Sequence, residues 1–228
     1  KYNEQNGFAN KNSLFTTSRD QVTALAQLPF ADSSEVTAGI EWYNETIDSN
    51  NEYDETERDA NAFFITGRHD IDQVKIEASV RYDKIGDIKG ETTYQLAAGY
   101  QINEQLLLSL SHGTAFKAPS FNDLYYPWSG NPDLISETAD SSEFLTRYNG
   151  DLFTAELSVY QTNIDNLIEW APVDLSDPYS PWKPKNIAKA EILGAEATFS
   201  AELFDTNNSL TLSHIDAEDK TTGRQLER

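Results

Sequence analysis

Residues 74–82, VKIEASVRY, constrain the fold most because they alternate strictly. In an extended chain Val74, Ile76, Ala78, Val80 and Tyr82 share one face, and Lys75, Glu77, Ser79 and Arg81 share the other. The same period recurs along the chain. It puts Tyr94, Leu96, Ala98, Tyr100 and Ile102 opposite Gln95, Ala97, Gly99 and Gln101, and Phe153, Ala155, Leu157 and Val159 opposite Thr154, Glu156 and Ser158. Val36, Ala38, Ile40 and Trp42 form another such face, as do Leu193, Ala195, Ala197, Phe199, Ala201 and Leu203. The period predicts about ten strands, near 11–30, 35–46, 58–70, 73–83, 91–102, 105–116, 138–149, 151–165, 187–203 and 208–216.

The connections are of two kinds, and they alternate. Short turns rich in Asn, Asp, Gly and Ser fall at 30–34, 70–72, 102–105, 149–151 and 204–208. Longer, irregular segments fall at 46–58, 84–91, 117–138, 166–187 and 217–226. Every long segment therefore emerges at the same end of the sheet. With strands long enough to cross a bilayer at a tilt, this predicts an all-β fold, a transmembrane antiparallel β-barrel with short turns on one side and long loops on the other. Trp42, Tyr82, Tyr100 and Tyr148 lie toward strand ends, where an interfacial girdle sits. A soluble antiparallel sheet also alternates, so a soluble or surface β-sheet binding module stays open, although its strands would centre on about five or six residues.

Composition removes other classes. The formal charge is −21, from 17 basic and 38 acidic residues, with no local basic patch to hold a nucleic acid. The absence of Cys excludes disulfides, zinc thiolates and thiol catalysis. No G-x-S-x-G, H-E-x-x-H or phosphate loop occurs, so no catalytic residue is assigned and no enzyme is expected. With no Met and with Lys1 first, the chain reads as an internal piece of a longer protein, residues 1–228 forming part of one barrel domain.

Two of the long segments are oily. Segment 117–138 carries Phe121, Tyr125, Tyr126 and Trp128, with Asn122 and Asp123 beside them and Pro119, Pro127 and Pro132 to stiffen it. Segment 166–187 carries Trp170, Tyr179 and Trp182 among Pro172, Pro178, Pro181 and Pro184. Flat side chains on a stiff loop cover a large ligand at little entropic cost, so both segments are expected to form one ligand rim; anchoring in the membrane interface is the alternative. Lys75, Glu77, Arg81 and Glu156 are expected to face the lumen. The acidic stretch DSNNEYDETERD, 48–59, offers the oxygen ligands calcium takes, but Tyr53 stands where an EF-hand needs Gly. It is read as a solvated loop, with no metal or cofactor assigned.

In SHGTAFKAPSFNDLYYP and GNPDLISE the chain resembles the TonB-dependent outer-membrane receptors, and among them the cobalamin receptors most closely. The matching residues are Phe116, Lys117, Ala118 and Pro119, then Asn131, Pro132, Asp133 and Leu134. VYQTNIDNLIEW, NIAKAEILGAEATFS with its Asn186, Gly194 and Glu196, and HIDAEDKTTGRQLER continue the resemblance in the family's order. The resemblance implies a barrel of about twenty-two strands around a plug, and import of cobalamin or another scarce nutrient with energy from the TonB complex, in contact with outer-membrane lipid. The plug would lie outside this sequence. Haem receptors of the family carry a His between the two boxes, and none of His69, His112 and His214 lies there. A ferric siderophore or haem remains the alternative cargo.

Overall fold

The computed structural model describes residues 2–5, 12–174, 176–177 and 179–226. They form a single twelve-stranded antiparallel sheet whose strands pair in sequence order. The long strands are β2 (Asn12–Ala31), β3 (Ser34–Ser49), β4 (Glu57–Ile71), β5 (Val74–Ile85), β6 (Glu91–Gln101), β7 (Leu106–Lys117), β8 (Glu137–Asn149), β9 (Phe153–Pro172), β10 (Trp182–Leu203) and β11 (Thr206–Asp219). These correspond one for one to the predicted strands. Two short edge strands, β1 (Tyr2–Gln5) and β12 (Arg224–Gln225), were not predicted. The five-residue helix α1 (Phe121–Tyr125) interrupts the connection between β7 and β8.

Register turns the alternation into two surfaces. One row runs Ala26, Ala38, Ile65, Val80, Tyr94, and the neighbouring row on the other face runs Leu25, Gly39, Phe64, Arg81, Thr93. On the first face Val22, Leu28, Ile40, Phe63, Ile65, Leu96, Leu110 and Leu212 are each more than half exposed. A continuous apolar band of this size facing outward is what a bilayer covers. Trp42 and Tyr82 edge it toward the long loops, and Tyr100, Tyr148, Phe153 and Phe199 edge it toward the short turns. No helix among the described residues is long and apolar enough to cross a membrane; the strands cross instead.

The band also tells where the membrane ends. Along β9 the outward residues are Ala155, Leu157 and Val159, then Gln161, Asn163 and Asp165. At 20 and 22 residues, β9 and β10 are about twice the crossing length, so their far halves stand above the bilayer as a hairpin. This corrects the expected loop 166–187, which shortens to 173–181 and leaves Trp170 and Trp182 in strands. Pro184 is tolerated there because β11 joins β10 only from Ala190 onward, so its missing N–H removes no ladder bond on that side.

Gly194 has a packing reason. It pairs with Tyr160, whose ring lies across it so closely that a Cβ would sit 2.1 Å from Cζ. The aromatic covers the bare backbone on the lumenal face, a known device for a glycine in a sheet.

Candidate functional site

The site is built from the loop end of the sheet. S-F-N-D at 120–123 is a capping box: the Ser120 hydroxyl accepts from the Asp123 amide at 3.2 Å, and the Asp123 carboxylate accepts from the Ser120 amide at 2.9 Å. This starts α1 after Pro119, and Pro127 follows its end. The helix turns Phe121 and Leu124 inward. Phe121 is 6% exposed, packed with Ile47 and Tyr53. It is therefore not the free rim surface expected, because the β3–β4 end closes over it. Arg58 completes the closure: its guanidinium lies 4.8 Å from the Phe121 ring centroid and donates to the Pro119 carbonyl at 2.8 Å. Tyr53 donates its hydroxyl to Asn122 Oδ1 at 2.6 Å. Sequence reasoning missed both partners, since they lie in the stretch read only as acidic.

The second box fastens the loop to the β9–β10 hairpin. Asn131 Nδ2 donates to the Pro184 carbonyl at 3.0 Å, and Asn131 Oδ1 accepts from the Asp133 amide at 3.1 Å. Asn186 Oδ1 accepts from the Ile135 amide at 3.0 Å, while its Nδ2 donates to the carbonyls of Ile135 at 2.9 Å and Asn166 at 2.8 Å. Leu134 is buried, as are Ser136 and Glu137. The Glu137 carboxylate accepts from Lys117 Nζ at 3.3 Å and from the Ile168 amide at 3.0 Å. Phe116 and Ala118 pack on the Tyr43–Ala60–Ile85 cluster. Together these contacts hold loop to wall.

Above this frame the aromatics divide into two sets. Trp170 donates its indole N–H to Asp123 Oδ1 at 3.1 Å, and Tyr126 stands edge-on to both Trp170 and Tyr53 at 6.2 and 6.1 Å. That ladder ties three segments of the mouth together. Burial pushes the Tyr125 phenol up from its ordinary value, and Glu55 and Asp87 add to the shift, so the ring stays neutral well into the alkaline range. Trp128 is 99% exposed, with a left-handed φ of 70°, and Tyr179 is 92% exposed. Trp182 is also exposed. These three are the free surfaces. Pro178 lies outside the described residues.

The inner wall below is polar. Arg81 binds Asp83 at 2.8 Å and Glu41 at 2.9 Å, and Arg147 binds Glu156 at 2.6 Å. Lys75 and Glu77 share the Arg81 face, and Glu196 faces Ser158 across the β9–β10 ladder, with Ser158 hydrogen-bonded to Glu143. Where this wall meets α1 lies a groove of about 330 Å³, lined by Phe15, Ile47, Phe121, Arg19, Arg58 and Asn122 among others. Among the described residues no group of three or more His, Asp or Glu is placed to hold a metal ion.

A sheet with a lipid-facing band, a polar inner face and an aromatic mouth defines the wall of a transmembrane β-barrel receptor. The chain belongs to the TonB-dependent receptor-like β-barrel family, whose model matches residues 1–228, and this makes it a bacterial outer-membrane protein. It is 38% identical over 198 residues to the vitamin B12 transporter BtuB of Photobacterium profundum, covering 86% of this chain and 33% of that protein. In fold it is similar to the FrpB iron transporter of Neisseria meningitidis, with a TM-score of 0.77 at 14% identity over 92% of this chain and 37% of that one. It is similar also to the ferric enterobactin receptor PfeA of Pseudomonas aeruginosa, with a TM-score of 0.77 at 19% identity over 93% of this chain and 37% of that one. The chain spans about a third of the length of the curated relatives it matches.

Proposed function

We propose that the chain is part of a receptor that captures cobalamin at the cell surface and imports it with energy transmitted by TonB. The observation that carries this reading is the 38% identity, over most of the chain, to a protein named as a vitamin B12 transporter. The aromatic mouth supports it physically. Trp128, Tyr179 and Trp182 offer broad flat surfaces for a large macrocycle, on a loop and a hairpin that Asn131 and Asn186 fasten to each other. Capture would then need little ordering of the loops, which favours tight binding. A plug outside this sequence would pass the ligand on when TonB engages it. No covalent step is required of these residues.

The test is equilibrium binding of cyanocobalamin, haem and a ferric siderophore panel to the complete receptor in detergent. Tight binding of cyanocobalamin alone is expected. A ferric siderophore or haem is the rival cargo; iron transport and ferric enterobactin are named for the solved relatives FrpB and PfeA, whose low identity shows the fold alone. Binding of a siderophore with no response to cyanocobalamin would replace the cargo and keep the receptor.

A single substitution separates rim from frame. Trp128→Ala removes a side chain that is 99% exposed, so thermal stability should stay within about 0.5 kcal/mol of wild type. Affinity for cyanocobalamin should fall about tenfold or more if the indole covers the ligand, since aromatic anchors dominate such contacts. Unchanged affinity in a titration would remove Trp128 from the rim.

A further inference from the structure

The groove beneath α1 has a charge pattern that the frame does not explain. Arg58 is committed: it binds Glu45 at 2.8 Å, donates to the Pro119 carbonyl and covers Phe121. Arg19 reaches the same Glu45 only at 3.6 Å, and its side chain is 42% exposed. Two guanidiniums thus share one carboxylate, and Arg19 is the less tightly held and more exposed of the two. The next carboxylates down the inner face, Glu41 and Asp83, are both held by Arg81. Arg19 is also fixed in place, its guanidinium 3.5 Å from the Tyr43 ring centroid. Stacking occupies the face of the guanidinium and leaves its in-plane N–H donors. Thr17, Ser18 and Asn122 bring further polar groups to the same groove, over a floor of Phe15, Ile47 and Phe121.

We infer that Arg19 is an anion-binding residue of the ligand path, seating a phosphate group carried by a cargo whose remainder rests on the apolar floor. A fork of N–H donors suits a phosphate oxygen pair, and a preformed cation stacked on an aromatic ring loses little freedom on binding. The groove lies on the inner face at the loop end, lined by Ser120, Phe121 and Asn122 of the same segment that carries Trp128. This rests on the cobalamin reading, because cobalamin is a bulky macrocycle bearing one phosphodiester.

The experiment uses the complete receptor in detergent, wild type and Arg19→Gln, with Arg19→Lys as a charge-retaining second variant. Each must show the wild-type heat-dependent shift on an unheated gel. Cyanocobalamin and cobinamide, the same ring without the nucleotide loop that carries the phosphodiester, are titrated against each. Arg19→Gln should weaken cyanocobalamin about tenfold and leave cobinamide within about twofold, with Arg19→Lys between. Equal losses for both ligands, or no loss for either, overturn the inference and leave the cargo reading intact. If the wild type binds neither corrinoid, the cargo reading fails and a second arm decides. In it, inorganic phosphate is followed by its 31P line width, which the wild type should broaden and Arg19→Gln should not. Identical broadening by both proteins would then overturn the anion seat on its own.

Discussion

Gly130→Ala is expected to release the mouth loop from the wall while leaving the membrane part of the barrel assembled. A Cβ on Gly130 would lie 2.5 Å from the Leu124 carbonyl oxygen and 2.7 Å from the Tyr126 nitrogen, and both atoms are backbone at the end of α1. No rotamer change can relieve such a contact. The Gly130 amide also donates to the Tyr126 carbonyl at 2.8 Å, so moving the glycine away sacrifices that bond. Overpacking of this kind costs about 3 kcal/mol, enough for the loop to abandon its closed arrangement. The heat-dependent gel shift of the complete receptor should persist, because no lipid-facing row is touched. Proteolytic nicking between 118 and 136 should rise, and cyanocobalamin affinity should fall by about a hundredfold if the rim is lost. Gly67→Ala is the control: nothing lies within 4 Å of its Cβ, and stability should stay within about 0.5 kcal/mol. If both variants resist protease equally, the close packing of Gly130 is not what holds the loop.

The membrane-facing half of this protein was legible in the sequence because one face meets lipid and the other water. β5 and β6 read residue by residue for that reason. Above the bilayer both faces meet water, and the alternation fades. Gln161 and Asn163 continue the outward row of β9 in unbroken register with both neighbours, and the prolines further on resemble a loop. The far half of the β9–β10 hairpin was hidden by the same physics that made the near half clear. The edge strands β1 and β12 were lost for a different reason: they hold four and two residues, too few to display a period. At the mouth, the aromatic content was plain but its division was not. Phe121 and Trp128 look alike in the chain. They differ because Arg58 and Tyr53, more than sixty positions earlier, fold over the one and leave the other exposed.

Asn186→Asp is expected to be worse than its near-identical shape suggests. The Asn186 amide nitrogen donates to two carbonyls, of Ile135 at 2.9 Å and of Asn166 at 2.8 Å, while its oxygen accepts from the Ile135 amide. A carboxylate keeps the acceptor and loses both donors, setting an anionic oxygen against two carbonyl oxygens at those distances. The site cannot yield easily. Asn166 has a left-handed φ of 58°, and the β9–β10 register shifts between Asn186 and Ala188, so the amide clamps an irregular step in the ladder. Losing two such bonds and gaining repulsion costs about 3 to 5 kcal/mol at neutral pH. The sign with pH follows. Facing carbonyls raise the folded-state pKa of the new carboxyl above its unfolded value of about 3.9, so the protonated form is favoured in the native state. The deficit is therefore largest above that raised pKa and shrinks as pH falls toward about 4, where the protonated carboxyl regains one donor. Asn186→Leu should be destabilised with no such recovery. Thermal unfolding of the complete receptor at pH 7.5 and near pH 4.5, with each variant referred to wild type at the same pH, separates the two. A deficit for Asn186→Asp that does not narrow at the lower pH would mean the amide donors are not what holds the loop to the hairpin.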